Sequence, residues 1–300
     1  RPGRRFGSIF PPSMTPYPSR KPRDEELDSF GITHIGKIRT DNQDSFLMAT
    51  IYKHMEIRAT SLTGDRAAML PKDERLAVVS MVADGVGGGL GGAEASATAL
   101  ETALAYMQHS MACYYRADAT EDDFINELQK AAVTAHGAIL AKRAAQGVSG
   151  TMATTLTLFM GVWPWYYILQ VGDSRYYLFR DGELTQLSRD QTIAQDLVDE
   201  GVLSRTAAFR TQFANVLSSA LGADNAMPVV TRLRSEWGYV HLLCSDGLTK
   251  HVSDAKIAER LRTMTSAKQV CEQLLQDALD GGGTDNITIV VGRAIPAAGA

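Results

Sequence analysis

The sequence predicts a mixed α+β domain in which antiparallel strands and amphipathic helices share a core. Three observations predict it. Short runs rich in Val, Leu and Ile, "AVVSMVADG" (77–85), "YVHLLCSDG" (239–247) and "NITIVVGR" (286–293), have the length and composition of buried strands. Four strand-like runs crowd into residues 151–188, separated by tight turns as antiparallel hairpins are. Apolar residues recur at helical spacing in the stretches that start at 93 and at 120. With 300 residues, 45% of them hydrophobic, the chain has ample material for one large domain or two small ones.

Taken in order, the chain opens on a different material. Residues 1–23 hold six of the ten prolines and six Arg or Lys residues, with no acid before Asp24. Residues 1–28 are therefore expected to form a flexible basic arm, either a linker or a docking segment, before a folded domain over 29–295 and a tail at 296–300. "AEASATALETALAYMQHSMA" (93–112) reads as a helix with Leu100, Leu104, Met107 and Met111 on one side. A second helix opens on the capping pair Thr120 and Asp123 and carries Phe124, Leu128, Ala135 and Ile139 inward. The strand-like block comprises 151–161, 165–172, 175–180 and 183–188. Residues 190–222 read as helix and loop, with Gly201 stopping a helix after "AQDLVDE". Helices are also expected over "SDAKIAERL" and "SAKQVCEQLLQDALDGGG", before the closing strand.

Composition excludes several classes. A net charge of −4 lacks the basic footprint of a nucleic-acid binder, so no nucleic-acid partner is expected. No apolar stretch approaches the ~20 residues of a membrane-spanning helix, and the N-terminus lacks the apolar centre of a secretory signal. Cys113, Cys244 and Cys271 lie far apart with no C-x-x-C pair, which argues against a zinc knuckle or a disulfide framework and for a reducing, cytoplasmic setting. None of the six His residues falls in a ligand-spaced pair, and His241, in mid-strand, reads as a packed core residue. No G-x-S-x-G elbow supports a serine hydrolase.

The chemistry is sought in "VADGVGGGLGGAEAS" (82–96). Gly87, Gly89 and Gly92 match G-x-G-x-x-G, but a dinucleotide fold needs strand, helix and strand within about thirty residues. Here a second helix follows the first. A phosphate loop needs G-K-[ST], and the chain has Gly91-Gly92-Ala93. A plain turn is the third option, and Asp181-Gly182, two residues between strand-like runs, is such a turn. Asp84-Gly85 and Asp246-Gly247 differ, because each ends an apolar run with no partner strand close behind. Asp285 opens a third apolar strand after three glycines, and Asp41 and Asp44 follow Arg39 in "IRTDNQDSF". Carboxylates gathered beside core strands repel and are costly to ionise, and a hard divalent cation removes both objections. Oxygen ligands without nearby Cys or His point to magnesium or manganese.

Taken together these segments resemble the metal-dependent Ser/Thr protein phosphatases of type 2C, in their bacterial style. "RTDNQDSF" resembles the R-x-x-N-E-D element of that family, and "VADGVGGGLGGAEAS" its A-D-G-M-G-G element. "SGTMATTL" (149–156), "VGDSRYYLFRDGELTQLSRDQT" (171–192), "LLCSDGLTKHVSD" and "GGGTDNITIVV" match the later motifs in order, so that about residues 30–294 are covered. The resemblance implies a four-layer α/β/β/α sandwich, two antiparallel sheets face to face with helices outside, and two Mn or Mg ions at one end. It implies that Asp84 bridges both ions, that the Gly85 carbonyl binds one, and that Asp246 and Asp285 hold the other. Asp44 then contributes directly or through water, Arg39 grips the substrate phosphate, and Asp173 helps hold a third, weaker metal. The implied reaction is hydrolysis of phosphoserine or phosphothreonine in proteins by a metal-activated water, with a phosphorylated protein and a cognate Ser/Thr kinase as partners. Residues 190–222 resemble the family's variable flap.

Three positions depart from the pattern. Gln43 stands where the family has Glu, Val86 where it has His or Met, and Ala93 precedes Glu94. These departures motivate an alternative reading, a phosphoprotein-binding module that keeps the fold with weak or no catalysis.

Overall fold

A computed structural model describes residues 19–54, 74–87, 91–110, 120–147, 150–208 and 211–296. Residues 1–18 of the basic arm, Gly88 to Leu90 of the glycine element, Cys113 and the tail from 297 lie outside the described residues.

Two sheets account for the strands among the described residues. One runs β1 (Leu27–His34), β11 (Ile287–Ala294), β10 (Val240–Cys244), β7 (Arg175–Arg180), β8 (Glu183–Gln186). The other runs β2 (Asp44–Lys53), β3 (Glu74–Val86), β5 (Leu156–Val162), β6 (Trp165–Val171), β9 (Val229–Arg234), with β4 (Ala153–Thr154) paired to the end of β3. Every pairing is antiparallel.

Side-chain alternation along the strands makes the layers. On β3, Val79, Met81 and Ala83 pack against α1 (Gly91–His109) and α2 (Glu121–Gln146), whereas Val82 faces the other sheet. On β11, Ile287, Ile289 and Val291 pack outward, in one cluster with Leu261 of α6 (Asp254–Arg262) and with Val270 and Leu274 of α7 (Ala267–Asp280), whereas Val290 faces inward. Between the sheets lie Phe159, Tyr166, Tyr176 and Leu243. The order is thus helix, sheet, sheet, helix. Strands covered on both faces favour apolar residues at nearly every position, which is why 77–83 and 287–291 read as apolar runs interrupted only by Ser80 and Thr288.

Local chemistry sets the ends of the elements. Thr120 caps α2 with its side chain on the Asp123 N–H, and its own N–H reaches Asp123 Oδ2 at 2.7 Å. Asp181 and Gly182 take φ of 48° and 83°, the two positive values that a two-residue hairpin turn between β7 and β8 requires.

Three expectations are corrected. The block 151–188 is not one run of hairpins: β5–β6 belong to one sheet and β7–β8 to the other, and the corner Gly172–Ser174 carries the chain across. The strand over 151–161 is broken, because β4 pairs with the tip of β3 while β5 pairs with its body. At the N-terminus, β1 begins at Leu27, inside the segment expected as arm. Residues just before it are tied to the domain: Arg20 grips buried Glu26 at 2.6 and 2.7 Å, and its carbonyl accepts from Trp237 Nε1 at 3.0 Å. The acids at 24–26 end the basic stretch and supply its partners.

Between these elements, residues 190–222 carry α3 (Ile193–Asp199) and α4 (Arg205–Ala208), and α5 (Asp246–Thr249) follows β10. No helix among the described residues is long and apolar enough to cross a membrane.

Candidate active site

The register of the strands brings the predicted acids to one end of the sandwich. Asp44, first residue of β2, lies opposite Asp84 near the end of β3. His34, last of β1, pairs with Ile287, first of β11, which places the loop carrying Arg39 beside Asp285. Cys244, last of β10, pairs with Arg175, first of β7, so Asp246 and Asp173 leave their strands at this same end.

Two Asp-Gly pairs belong here for a steric reason. A Cβ on Gly85 would collide with the Gly92 and Gln43 carbonyl oxygens, and one on Gly247 with the Asn286 carbonyl oxygen. Close backbone approach, rather than turning, is what these glycines permit. Strand β3 continues past Asp84 to Val86, and Asp246 opens α5 instead of closing β10. Both acids therefore sit where a strand meets a second segment of backbone.

Asp44 joins the two sheets. Its Oδ2 accepts from Ser245 Oγ at 2.7 Å and from Thr288 Oγ1 at 2.8 Å, while its Oδ1, although buried, has no hydrogen-bond partner among the described residues. Burial, opposed by those two hydroxyls but reinforced by Asp246 and Asp285, pushes its carboxyl up to about 6. Burial and then Asp44, Asp246, Asp173 and Asp285 push Asp84 well above the usual carboxylate range. Asp173 is pushed up to about 7 by burial, Asp246 and Asp190. The backbone of Asp84 is held by Thr155: the Asp84 N–H donates to Thr155 Oγ1 at 2.9 Å, and its carbonyl accepts from the Thr155 N–H at 2.9 Å. Thr155 Oγ1 in turn lies 2.7 Å from Ser174 Oγ, beside Asp173.

Cations of the chain face the other acids. Arg39 grips both oxygens of Asp285, at 2.7 and 2.9 Å. Lys250 Nζ lies 2.6 Å from Asp246 Oδ2 and 2.7 Å from Asp285 Oδ2. Burial works against ionisation of Asp285, but hydrogen bonds from Arg39 and Lys250 outweigh it and hold the carboxyl below its ordinary value. Asn286 is the clamp of the Arg39 loop: its Oδ1 accepts from the Gln43 N–H at 2.8 Å, and its Nδ2 donates to the Ile35 and Asp41 carbonyls, each at 2.9 Å.

Asp44, Asp84, Asp173, Asp246 and Asp285 thus interact as one acidic cluster. The donor set suits hard cations: oxygens only, one of them buried without a partner, on carboxylates that raise one another. Among the described residues, no three Asp, Glu, His or Cys side chains stand close enough as they are to hold a metal ion. Lys250 and Arg39 take up the oxygens of Asp246 and Asp285 instead. Gln43, just before β2, packs against the start of α1, its carbonyl accepting from the Gly85 N–H at 3.2 Å and from Ser96 Oγ at 2.7 Å. Its side-chain Oε1 abuts Gly92. A cavity of about 410 Å³ opens at the opposite end of the sandwich, among Met48, Phe159, Trp163 and Leu243, and shares no residue with the acidic cluster. His241 borders that cavity as a core residue, its Nδ1 on Tyr176 Oη.

A family model described as Protein phosphatase 2C matches residues 54–281. The chain belongs to the protein phosphatase 2C family. Its likeness to the serine/threonine protein phosphatase PstP of Mycobacterium tuberculosis is 35% identity over 214 residues, 71% of this chain and 40% of that protein. The chain thus spans less than half the length of that curated relative. In three dimensions it resembles the crystal structure of the Mycobacterium tuberculosis serine/threonine phosphatase PstP/Ppp, with TM-score 0.69 and 29% identity over 90% of this chain and 99% of that one. It also resembles the catalytic domain of PstP in complex with 2 manganese ions, with TM-score 0.68, 29% identity and the same two coverages. The four-layer architecture of this protein phosphatase 2C chain is that of these neighbours.

Sequence reasoning missed Lys250, Asn286, Thr155 and Thr288. The one signal for Lys250 is its place four residues after Asp246, one helical turn on, and for Asn286 its adjacency to Asp285.

Proposed function

We propose that this chain hydrolyses phosphoserine and phosphothreonine on proteins by a metal-activated water at a pair of Mn or Mg ions. The observation that carries the reading is the convergence of Asp44, Asp84, Asp173, Asp246 and Asp285, from five separate segments, on one acidic cluster with a partnerless buried oxygen on Asp44. In this reading Asp84 would hold both ions, the Gly85 carbonyl one of them, and Asp246 and Asp285 the other. Asp44 would contribute directly or through water, and Asp173 would help hold a third, weaker ion. Bound cations would lower the pKa of a water and offset charge on the phosphoryl oxygens. Ser245 and Thr288 orient Asp44, Thr155 fixes the backbone of Asp84, and Asn286 holds the loop from which Arg39 reaches the phosphate with a planar fork of donors. No protein nucleophile is required, because phosphoryl transfer asks mainly for positioning and electrostatic stabilisation. Segment 190–222, whose Arg205 lines a polar cleft with Arg175 and Arg189, is the surface that meets the protein substrate. A Ser/Thr kinase supplies that substrate, and the buried free thiols of Cys244 and Cys271 suit a reducing, cytoplasmic setting.

The test is hydrolysis of a phosphothreonine peptide with manganese, with magnesium and with EDTA. Turnover that needs the metal is expected. Turnover unaffected by EDTA, or none with any metal, overturns the proposal. The ion pairs of Lys250 favour a second reading, a phosphoprotein-binding module with little catalysis. Tight peptide binding without turnover in manganese would select it.

A further inference from the structure

The acids of the site are not treated alike. Asp44 and Asp84 face other carboxylates, and one oxygen of Asp44 has no partner. Asp246 and Asp285 instead share the ammonium of Lys250, at 2.6 and 2.7 Å, and Asp285 is also gripped by Arg39. The arrangement is built into the chain. Lys250 ends the turn that Asp246 opens, its N–H on the Asp246 carbonyl at 2.9 Å, so the two side chains stand on one face. The contact of Gly247 with the Asn286 carbonyl then brings Asp285 to the same ammonium. Lys250 is only partly exposed, at 29% of its side chain, so its charge is less screened than that of a surface lysine.

We propose that Lys250 is a tethered cation that competes with the second metal ion for Asp246 and Asp285. The inference rests on the binuclear reading above and adds an order to it. Among the described residues no cation is hydrogen-bonded to the Asp84 carboxylate, whereas the ion at Asp246 and Asp285 must displace the ammonium. Loading therefore proceeds in two unequal steps, and the second step sets the metal concentration at which the site is complete. In the metal-free protein Lys250 is the charge that bridges Asp246 and Asp285 and offsets their repulsion, with Arg39 on Asp285 beside it.

The experiment is calorimetric titration of the full chain with manganese chloride, comparing the wild type with Lys250→Met, which keeps the stem and removes the charge, and with Lys250→Gln, which retains a hydrogen-bond donor. Melting temperatures in EDTA and in saturating manganese accompany it. The proposal expects two binding steps in the wild type. In both variants the second step tightens by about tenfold or more, as expected when a partly buried like charge leaves, and the first changes little. It expects both variants to melt lower than wild type in EDTA and to recover in manganese. Should Lys250→Met fail to fold without metal, Lys250→Gln carries the comparison. Second-step affinities equal to wild type, or weaker, overturn the competition while leaving the two-ion reading intact. Absence of manganese binding in all three proteins overturns that reading and the competition together.

Discussion

Replacing Asp44 by Asn is expected to stabilise the metal-free protein, although it removes a buried residue with two hydrogen bonds. Burial, reinforced by Asp246 and Asp285, pushes the folded carboxyl up to about 6 from an ordinary 3.8. That raised value means the folded state binds the proton more tightly than the unfolded one. The contribution of Asp44 to stability is therefore fully present below pH ~4 and is lost as pH rises through 6. The difference of about two between those values is worth on the order of 3 kcal/mol above pH 6, of which about half is already felt at pH 5. Asn keeps an oxygen for Ser245 and Thr288 but turns its NH₂ toward the place of the partnerless Oδ1, which costs about 1–2 kcal/mol. The net gain is about 1–2 kcal/mol at pH 8, a rise of roughly 2–8 °C in Tm for a domain of this size. Differential scanning calorimetry in EDTA from pH 5 to pH 8 measures it. A variant that melts below the wild type at pH 8, or a difference that does not grow with pH, refutes the reasoning. In manganese the order should reverse, because the wild type gains a ligand that Asn supplies poorly.

Other expectations concern separate parts of the molecule. Burial holds His241 neutral and lowers it to about 3 from 6.5, so the stability it contributes is present above pH 6.5 and lost as pH falls toward 3. His241→Phe should reduce the acid sensitivity of urea unfolding between pH 7.5 and 5 by about 2 kcal/mol, and an unchanged pH dependence would count against this. Gly247→Ala drives a Cβ into the Asn286 carbonyl and should cost more than about 3 kcal/mol. Gly137→Ala, mid-helix in open space, should gain up to about 1 kcal/mol in the same denaturation assay. Arg39→Ala should raise KM for a phosphopeptide roughly tenfold or more with a smaller effect on kcat, as loss of a two-pronged phosphate contact predicts; an unchanged KM would remove Arg39 from the substrate site.

What was legible in the sequence was whatever a local pattern encodes. Asp84-Gly85 and Asp246-Gly247 could be told from Asp181-Gly182 because buried apolar runs precede the first two, and the structure gives the distinction a cause: Gly182 has open space and positive φ, whereas Gly85 and Gly247 touch foreign backbone. Thr120 and Asp123 announced α2 because a capping box is complete within four residues. The partition into two sheets was not legible, since nothing in "VGDSR" distinguishes a hairpin from a corner between layers. Strand β9, "VVTRLR", went unseen because it pairs on one side only and mixes charges with its apolar residues. Lys250, Asn286 and Thr288 were invisible as parts of the site for a related reason. Their partners Asp285, Gln43 and Asp44 are 35 or more residues away in sequence, and only the closed fold brings them within hydrogen-bond reach.

The central claim is that Asp84, Asp246 and Asp285 share cations at one end of the sandwich. Anomalous diffraction from a manganese-soaked crystal tests it most directly, since it counts the ions and identifies their ligands at once. Two strong peaks are predicted, both beside Asp84 and one of them held by Asp246 and Asp285 with Lys250 swung away. Peaks elsewhere, or a fully loaded crystal in which Lys250 still lies between Asp246 and Asp285, would contradict the account.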